Sequence, residues 1–234
     1  MNKILMIFIL LFISSAVFCK PVQTINVPAL VKPPVVDGEI GKGEWDAASG
    51  APVSLNLSTG QASDVMSEFR IARFDNTLYF LMDASRIGRE PLALKRDRDG
   101  AMWEDDGVEI FLIQDQKKMH TIINSNGDIY DALGQVGPLI ASSMDTKWNA
   151  PWTVKTKTVK PSKTASGGFV IEASLDLSKL PVDLPKDSDQ WGFQVALNLR
   201  YHNPGSCWHV PTSGAFHTDF GKLIWGGSTN RITC

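Results

Sequence analysis

The chain is poor in the residues that carry metal and redox chemistry. Its 234 residues include four histidines, His120, His202, His209 and His217, and none stands at a spacing such as H-x-x-x-H, so a zinc site is not expected. The three cysteines, Cys19, Cys207 and Cys234, form no C-x-x-C-H motif, which leaves no attachment point for covalent haem. Excess charge is lacking too: 23 basic groups oppose 25 acidic ones and the two signs are well mixed. That balance argues against nucleic acid or an anionic membrane as partner and points to a neutral ligand. After the N-terminus no stretch approaches the roughly 18 apolar residues of a membrane span. Helical periodicity never persists beyond about two turns, the one short candidate being EWDAA around Trp45, and no internal repeat occurs.

What is present begins with MNKILMIFILLFISSAVFCK. Lys3, an apolar run from Ile4 to Ile13 and the small residues Ser14, Ser15 and Ala16 make a secretory signal peptide, residues 1–19, with cleavage after Ala16 or after Cys19. The protein is therefore expected to be secreted or periplasmic. A lipid anchor on Cys19 is disfavoured, because bulky Phe18 stands where such signals want a small residue. Once Cys19 leaves with the signal, Cys207 and Cys234 remain in an oxidising compartment; a disulfide between them and two free thiols are both open readings. Residues 20–34, rich in proline, read as an extended arm, and 35–234 as a single β domain.

The strand signals are numerous. MSEFRIARF and TLYFLMDA flank the turn pair Asp75-Asn76, a hairpin signature, and Asn126-Gly127 marks a second turn. Further strands are expected at VSLNL, GVEIFLIQ, MHTIINS, DIYDAL, WTVKTKTV, GGFVIEASL, WGFQVALNLRY and GKLIW. Roughly ten short strands joined by loops predict an all-β fold, an antiparallel β-sandwich around one core.

Two strands carry chemistry. In WEDDGVEIFL, Val108, Ile110 and Leu112 form one face, whereas Glu109 shares the other with Phe111 and Ile113. A carboxylate buried there without a partner would cost several kcal/mol, so Glu109 needs a cation, a buried base or a ligand rich in hydroxyls. In FQVALNLRY, Phe193, Val195, Leu197, Leu199 and Tyr201 alternate into a core, and Gln194, Asn198, Arg200 and His202 form a hydrogen-bonding face.

The motif order VVDGEIGKGEWDAA, LYFLMDA, RDRDGAMWEDDGVEIFL, INSNGDIYDA, GGFVIEASLDLSKL, WGFQVALNLRY, CWHVP and FGKLIW resembles the family 9 carbohydrate-binding modules from about Val35 to Trp225. The resemblance implies a jelly-roll-like sandwich that binds sugars, often at chain ends, between two tryptophan rings. It also implies structural calcium and frequent association with glycoside hydrolases. Carried over by residue, Trp103 matches the first aromatic platform, Glu109 the carboxylate beneath it and Trp208 the second platform; Asn124 and Asn198 match polar positions facing the sugar. Gln194 and Arg200 join them on the polar strand face. Thr121, Ile122 and Ile123 stand where the family often has an arginine, and no hydrolase domain is attached.

Of the seven tryptophans, Trp45, Trp191 and Trp225 adjoin core-forming strands and read as packing residues; Trp148 and Trp152 lean the same way. The acidic group Asp97, Asp99, Asp105 and Asp106 could bind calcium through carboxylates and carbonyls, or be a solvated loop. Glu109 with Glu172 could be a glycosidase pair, although nothing in the sequence sets their separation. Two other classes stay open: a haem-binding domain using Met102, Met119 or His120, and a structural surface or complex subunit that binds no sugar.

Overall fold

The structure, a computed structural model, describes residues 22–136, 144–211 and 219–230. The segment 1–19 read as a signal peptide, His217 and Cys234 lie outside them. Among the described residues thirteen strands follow in order: β1 (Thr24–Val27), β2 (Ser49–Pro52), β3 (Leu55–Asn56), β4 (Met66–Phe74), β5 (Thr77–Arg86), β6 (Gly107–Gln114), β7 (Lys117–Asn124), β8 (Ile129–Gln135), β9 (Trp152–Val159), β10 (Gly168–Asp176), β11 (Gln190–Leu199), β12 (His202–Cys207) and β13 (Gly221–Trp225). Short 3₁₀ turns occupy Met102–Glu104 and Leu177–Lys179. Among the described residues no helix is long and apolar enough to cross a membrane.

The strands form two sheets. The larger runs β1-β13-β11-β6-β7-β8, with β12 and β3 continuing from the second half of β11; the smaller runs β2-β4-β5-β10-β9. Pairing is antiparallel except between β1 and β13, which run parallel from Thr24 beside Lys222 to Val27 beside Trp225. The fold is the all-β sandwich that the alternation predicts. Asp75 turns the β4–β5 hairpin in the left-handed conformation, φ 49°, which a short polar side chain tolerates.

Alternation decides which side chains enter the core. Val108, Ile110 and Leu112 of β6, Phe193, Val195 and Leu197 of β11, and Phe169, Ile171 and Ala173 of β10 all point between the sheets. Phe69, Phe193 and Trp208 pack there with centroids 5.4–5.8 Å apart. A second, smaller cluster covers the outer face of the five-stranded sheet, where Trp45 and Ala48 lie over Ala72, Leu81 and Val170.

Several elements depart from the sequence reading. The arm at 20–34 contributes β1, a strand of the main sheet. β2 and β12 were not expected, since SGAP and HNPGSC are rich in residues that strands avoid. Residues 42–47 around Trp45 form turns, not a helix, because Trp45 drops onto the sheet and gains an indole hydrogen bond to Glu172 there.

Candidate functional site

β6 runs through the middle of the larger sheet, between β11 and β7, so its outward-facing Glu109 has neighbours on both sides. Only 6% exposed, Glu109 places Oε1 2.7 Å from His120 Nε2 of β7 and accepts from Asn198 Nδ2 of β11 at 3.1 Å. A carboxylate only accepts, so His120 carries its proton on Nε2. The His120 ring stacks on Phe111 at 4.3 Å and meets the edge of Tyr130 at 5.4 Å; Tyr130 in turn meets Trp103 at 5.7 Å. Burial, with Asp99, Glu109 and Asp131 nearby, pushes the Tyr130 phenol above its ordinary range and keeps it a proton donor. A run of rings thus links the buried carboxylate to an exposed indole.

That indole borders a groove. Trp103 and Glu104, from the 3₁₀ turn, and Asn198, Arg200, Tyr201, His202 and Gly205, from the β11–β12 hairpin, line an open space of about 350 Å³. Trp103 is 56% exposed and Tyr201 85%. Leu199 pairs with His202, so Arg200 and Tyr201 are the two turn residues, and Tyr201 adopts φ 66°. Such a conformation is uncommon for a bulky residue, and strain of this kind concentrates where a side chain must be presented. The Arg200 guanidinium lies 5.3 Å from the Tyr201 ring centre.

Residues 89–101 form a strap leading into the Trp103 turn. Arg89 makes a two-pronged pair with Asp106, Lys95 pairs with Asp128, Arg98 with Asp131, and Arg96 with both Asp105 and Glu104. Burial disfavours the charge on Asp105, but hydrogen bonds from Arg96, Asn124 and the Leu94 N–H outweigh it and hold its pKa below the usual carboxylate range.

Of the residues expected at a sugar site, the structure brings Trp103, Glu109, Asn198 and Arg200 together. It does not bring Trp208, whose ring is 2% exposed and packed in the sandwich core against Phe69 and Phe193. The loop in which it was expected to stand exposed instead runs along β11, with Trp208 N–H bonded to the Val195 carbonyl at 2.9 Å. Gln194, although on the outer face, is fully buried: its amide donates to the His209 carbonyl and accepts from the His209 N–H. Asn124 organises the turn after β7, donating to Asp105 and accepting from the N–H groups of Asn126 and Asp128. Neither amide lines the groove.

The acidic group expected to bind calcium is largely engaged by donors of the protein itself. Asp105 and Asp106 are committed to different arginines, Asp99 accepts from the Asp131 N–H, and Asp97 is exposed. Among the described residues no group of three or more His, Cys, Asp or Glu side chains is placed to hold a metal. Glu172 lies on the outer face of the other sheet and accepts from the Trp45 indole and the N–H groups of Asp37 and Gly38. It forms no pair with Glu109. Met119 points into the core and adjacent His120 out of it, so the candidate haem ligands diverge. Cys207 is a buried thiol, pushed up to about 12 by burial, and Cys234 lies outside the described residues.

Sequence reasoning missed Tyr201, Tyr130 and the role of His120. Alternation continued through FQVALNLRY assigns Tyr201 to the core, because Arg-Tyr carries no turn signal. The Asn-Pro-Gly that follows, at 203–205, is the signal that could have ended the strand earlier.

A family model described as "Carbohydrate family 9 binding domain-like" matches residues 36–207. No curated protein sequence matches the chain. Among solved structures, a Bacteroides uniformis protein assigned provisionally to carbohydrate binding shares the fold at TM-score 0.63 and 15% identity, covering 88% of this chain and all of its own. A family 9 carbohydrate-binding module from Caldicellulosiruptor kristjanssonii, solved with glucose, gives 0.56 at 18% identity and covers 91% of this chain and all of its own. The same kind of module from that organism with cellotriose gives 0.56 at 18%, covering 88% and 95%.

Proposed function

The chain belongs to the carbohydrate family 9 binding domain-like family, and from that premise we propose that it is a non-catalytic binder gripping the end of a neutral oligosaccharide or polysaccharide between Trp103 and Tyr201. The observation that carries this reading is the groove itself. Two exposed aromatic side chains flank it, and at its base Asn198 connects to the buried Glu109. Sugar rings stack on such faces, while a desolvated carboxylate and its amide partner reward hydroxyls placed to meet them. The related modules solved with glucose and with cellotriose support a neutral ligand. Hydrolysis would need two carboxyl groups flanking one bond, and the two buried glutamates stand on outer faces of different sheets. The N-terminal signal sequence supports export, where the protein serves polysaccharide breakdown beside a glycoside hydrolase.

A glycan array on the mature protein, followed by titration calorimetry, tests the proposal. Trp103→Ala and Tyr201→Ala each remove a wall, at about 2 kcal/mol for a stacking hot spot, and weaken binding more than tenfold with little change in melting temperature. Trp208→Ala does the reverse, lowering the melting temperature by opening the core. A protein that binds no glycan overturns the reading and leaves a structural subunit.

A further inference from the structure

The two walls of the groove come from distant parts of the chain, the 3₁₀ turn at Met102–Glu104 and the hairpin turn at Arg200-Tyr201. Their backbones meet at two consecutive carboxylates. Asp105 caps the 3₁₀ turn; its carboxylate receives Arg96 Nε at 2.6 Å and an Arg96 terminal nitrogen at 3.1 Å, and the same guanidinium reaches Glu104 at 3.0 Å. Asp106 accepts the Arg200 N–H at 2.6 Å and is gripped from the other side by Arg89, whose guanidinium also donates to the Arg200 carbonyl at 2.9 Å. Both carboxylate side chains are fully buried. Next in sequence, Gly107 lets β6 approach β7 closely, since a Cβ there would lie 2.4 Å from the Ile123 carbonyl oxygen. Buried carboxylates this close need compensating charge, and here the strap supplies it in planar, two-pronged form.

Resting on the groove being the binding site, we infer that the locked pairs Asp105–Arg96 and Asp106–Arg89 set the spacing of its two aromatic walls. Arg96 and Arg89 are thereby positioning residues that fill the place of a structural cation. Each arginine serves one wall: Arg96 holds the turn that presents Trp103, and Arg89 holds the hairpin that presents Tyr201. Neither needs to touch the sugar. The acidic loop, which in the sequence suggests calcium, instead carries its own counter-charge.

The test uses no carbohydrate. Protein labelled with 5-fluorotryptophan and 3-fluorotyrosine gives separate fluorine resonances, with Trp103 and Tyr201 assigned by Trp103→Phe and Tyr201→Phe. Arg96→Met is expected to shift the Trp103 line, and Arg89→Met the Tyr201 line, by more than a linewidth, with the core lines of Trp45 and Trp208 fixed. EDTA or added calcium moves none of them and leaves the melting temperature unchanged. Should either Met variant fail to fold, Arg96→Lys and Arg89→Lys keep the charge, lose the fork and give the same wall-selective shifts. Unmoved wall lines, core lines moving equally, or EDTA reproducing the Arg96→Met shift overturn the inference and leave the binding proposal standing. A blank glycan array strikes the binding proposal and leaves these shifts readable.

Discussion

Glu109 and Glu172 stand on the outer faces of the two sheets, each buried in a strand whose other face feeds the common core. Their partners differ in kind. Glu172 accepts from an indole N–H and two backbone N–H groups, donors that can do nothing else. Glu109 accepts from the His120 imidazole, which can move its proton to the other ring nitrogen, and from the Asn198 amide, which can turn over. Obligate donors make a fixed joint, and Glu172 pins the N-terminal segment at Asp37 and Gly38 onto the smaller sheet. Adaptable partners make a surface that can rearrange around a ligand. Burial of a carboxylate therefore does not identify a site; the chemistry of what surrounds it does.

The sharpest way to break this contrast is Glu172→Gln. The amide turns an NH₂ toward at least one donor, so stability falls by about 2–3 kcal/mol in denaturant unfolding while glycan binding stays unchanged. Glu109→Gln has the opposite profile. His120 switches tautomer to accept from the new amide, the melting temperature holds, and affinity falls by about fivefold, roughly 1 kcal/mol, in titration calorimetry. Equal loss of stability in both variants would erase the distinction. The smallest effect is in pH. Burial raises the Glu172 pKa above its ordinary 4.5 despite three donors. A raised folded value means that this group's share of stability is full below about 4.5 and is lost as pH rises through the folded value. The wild type's margin over Glu172→Gln should thus shrink from pH 4 upward, whereas the margin over Glu109→Gln carries no such slope from Glu172.

Much of this was legible in the sequence where one physical rule acts alone. Alternation in β4, β5, β6, β10 and β11 reads directly as one face in and one face out, and gave the sandwich together with the isolated Glu109. Trp103 was legible because polar and turn residues surround it. The failures lie where a second constraint overrides the first. Trp208 sits among loop-forming residues, yet its strand extension along β11 carries the ring inward. Tyr201 completes an alternating run, yet the chain turns under it without glycine or asparagine. The pairing of the acidic loop was not legible, because the arginines of RDRDG reach across the fold to Asp105 and Asp131, which composition cannot reveal.

The parallel pairing of β1 with β13 bears on how the protein reaches this state. Thr24 of β1 finds its partner Lys222 across about two hundred residues of chain, a loop whose closure is entropically costly and cannot be repaid by local contacts. β1 is therefore expected to dock on β13 after the rest of the larger sheet has formed. Refolding should end in a slow phase that Ile25→Ala and Val27→Ala barely alter in rate while they hasten unfolding, since contacts absent from the transition state act on the escape from the native fold.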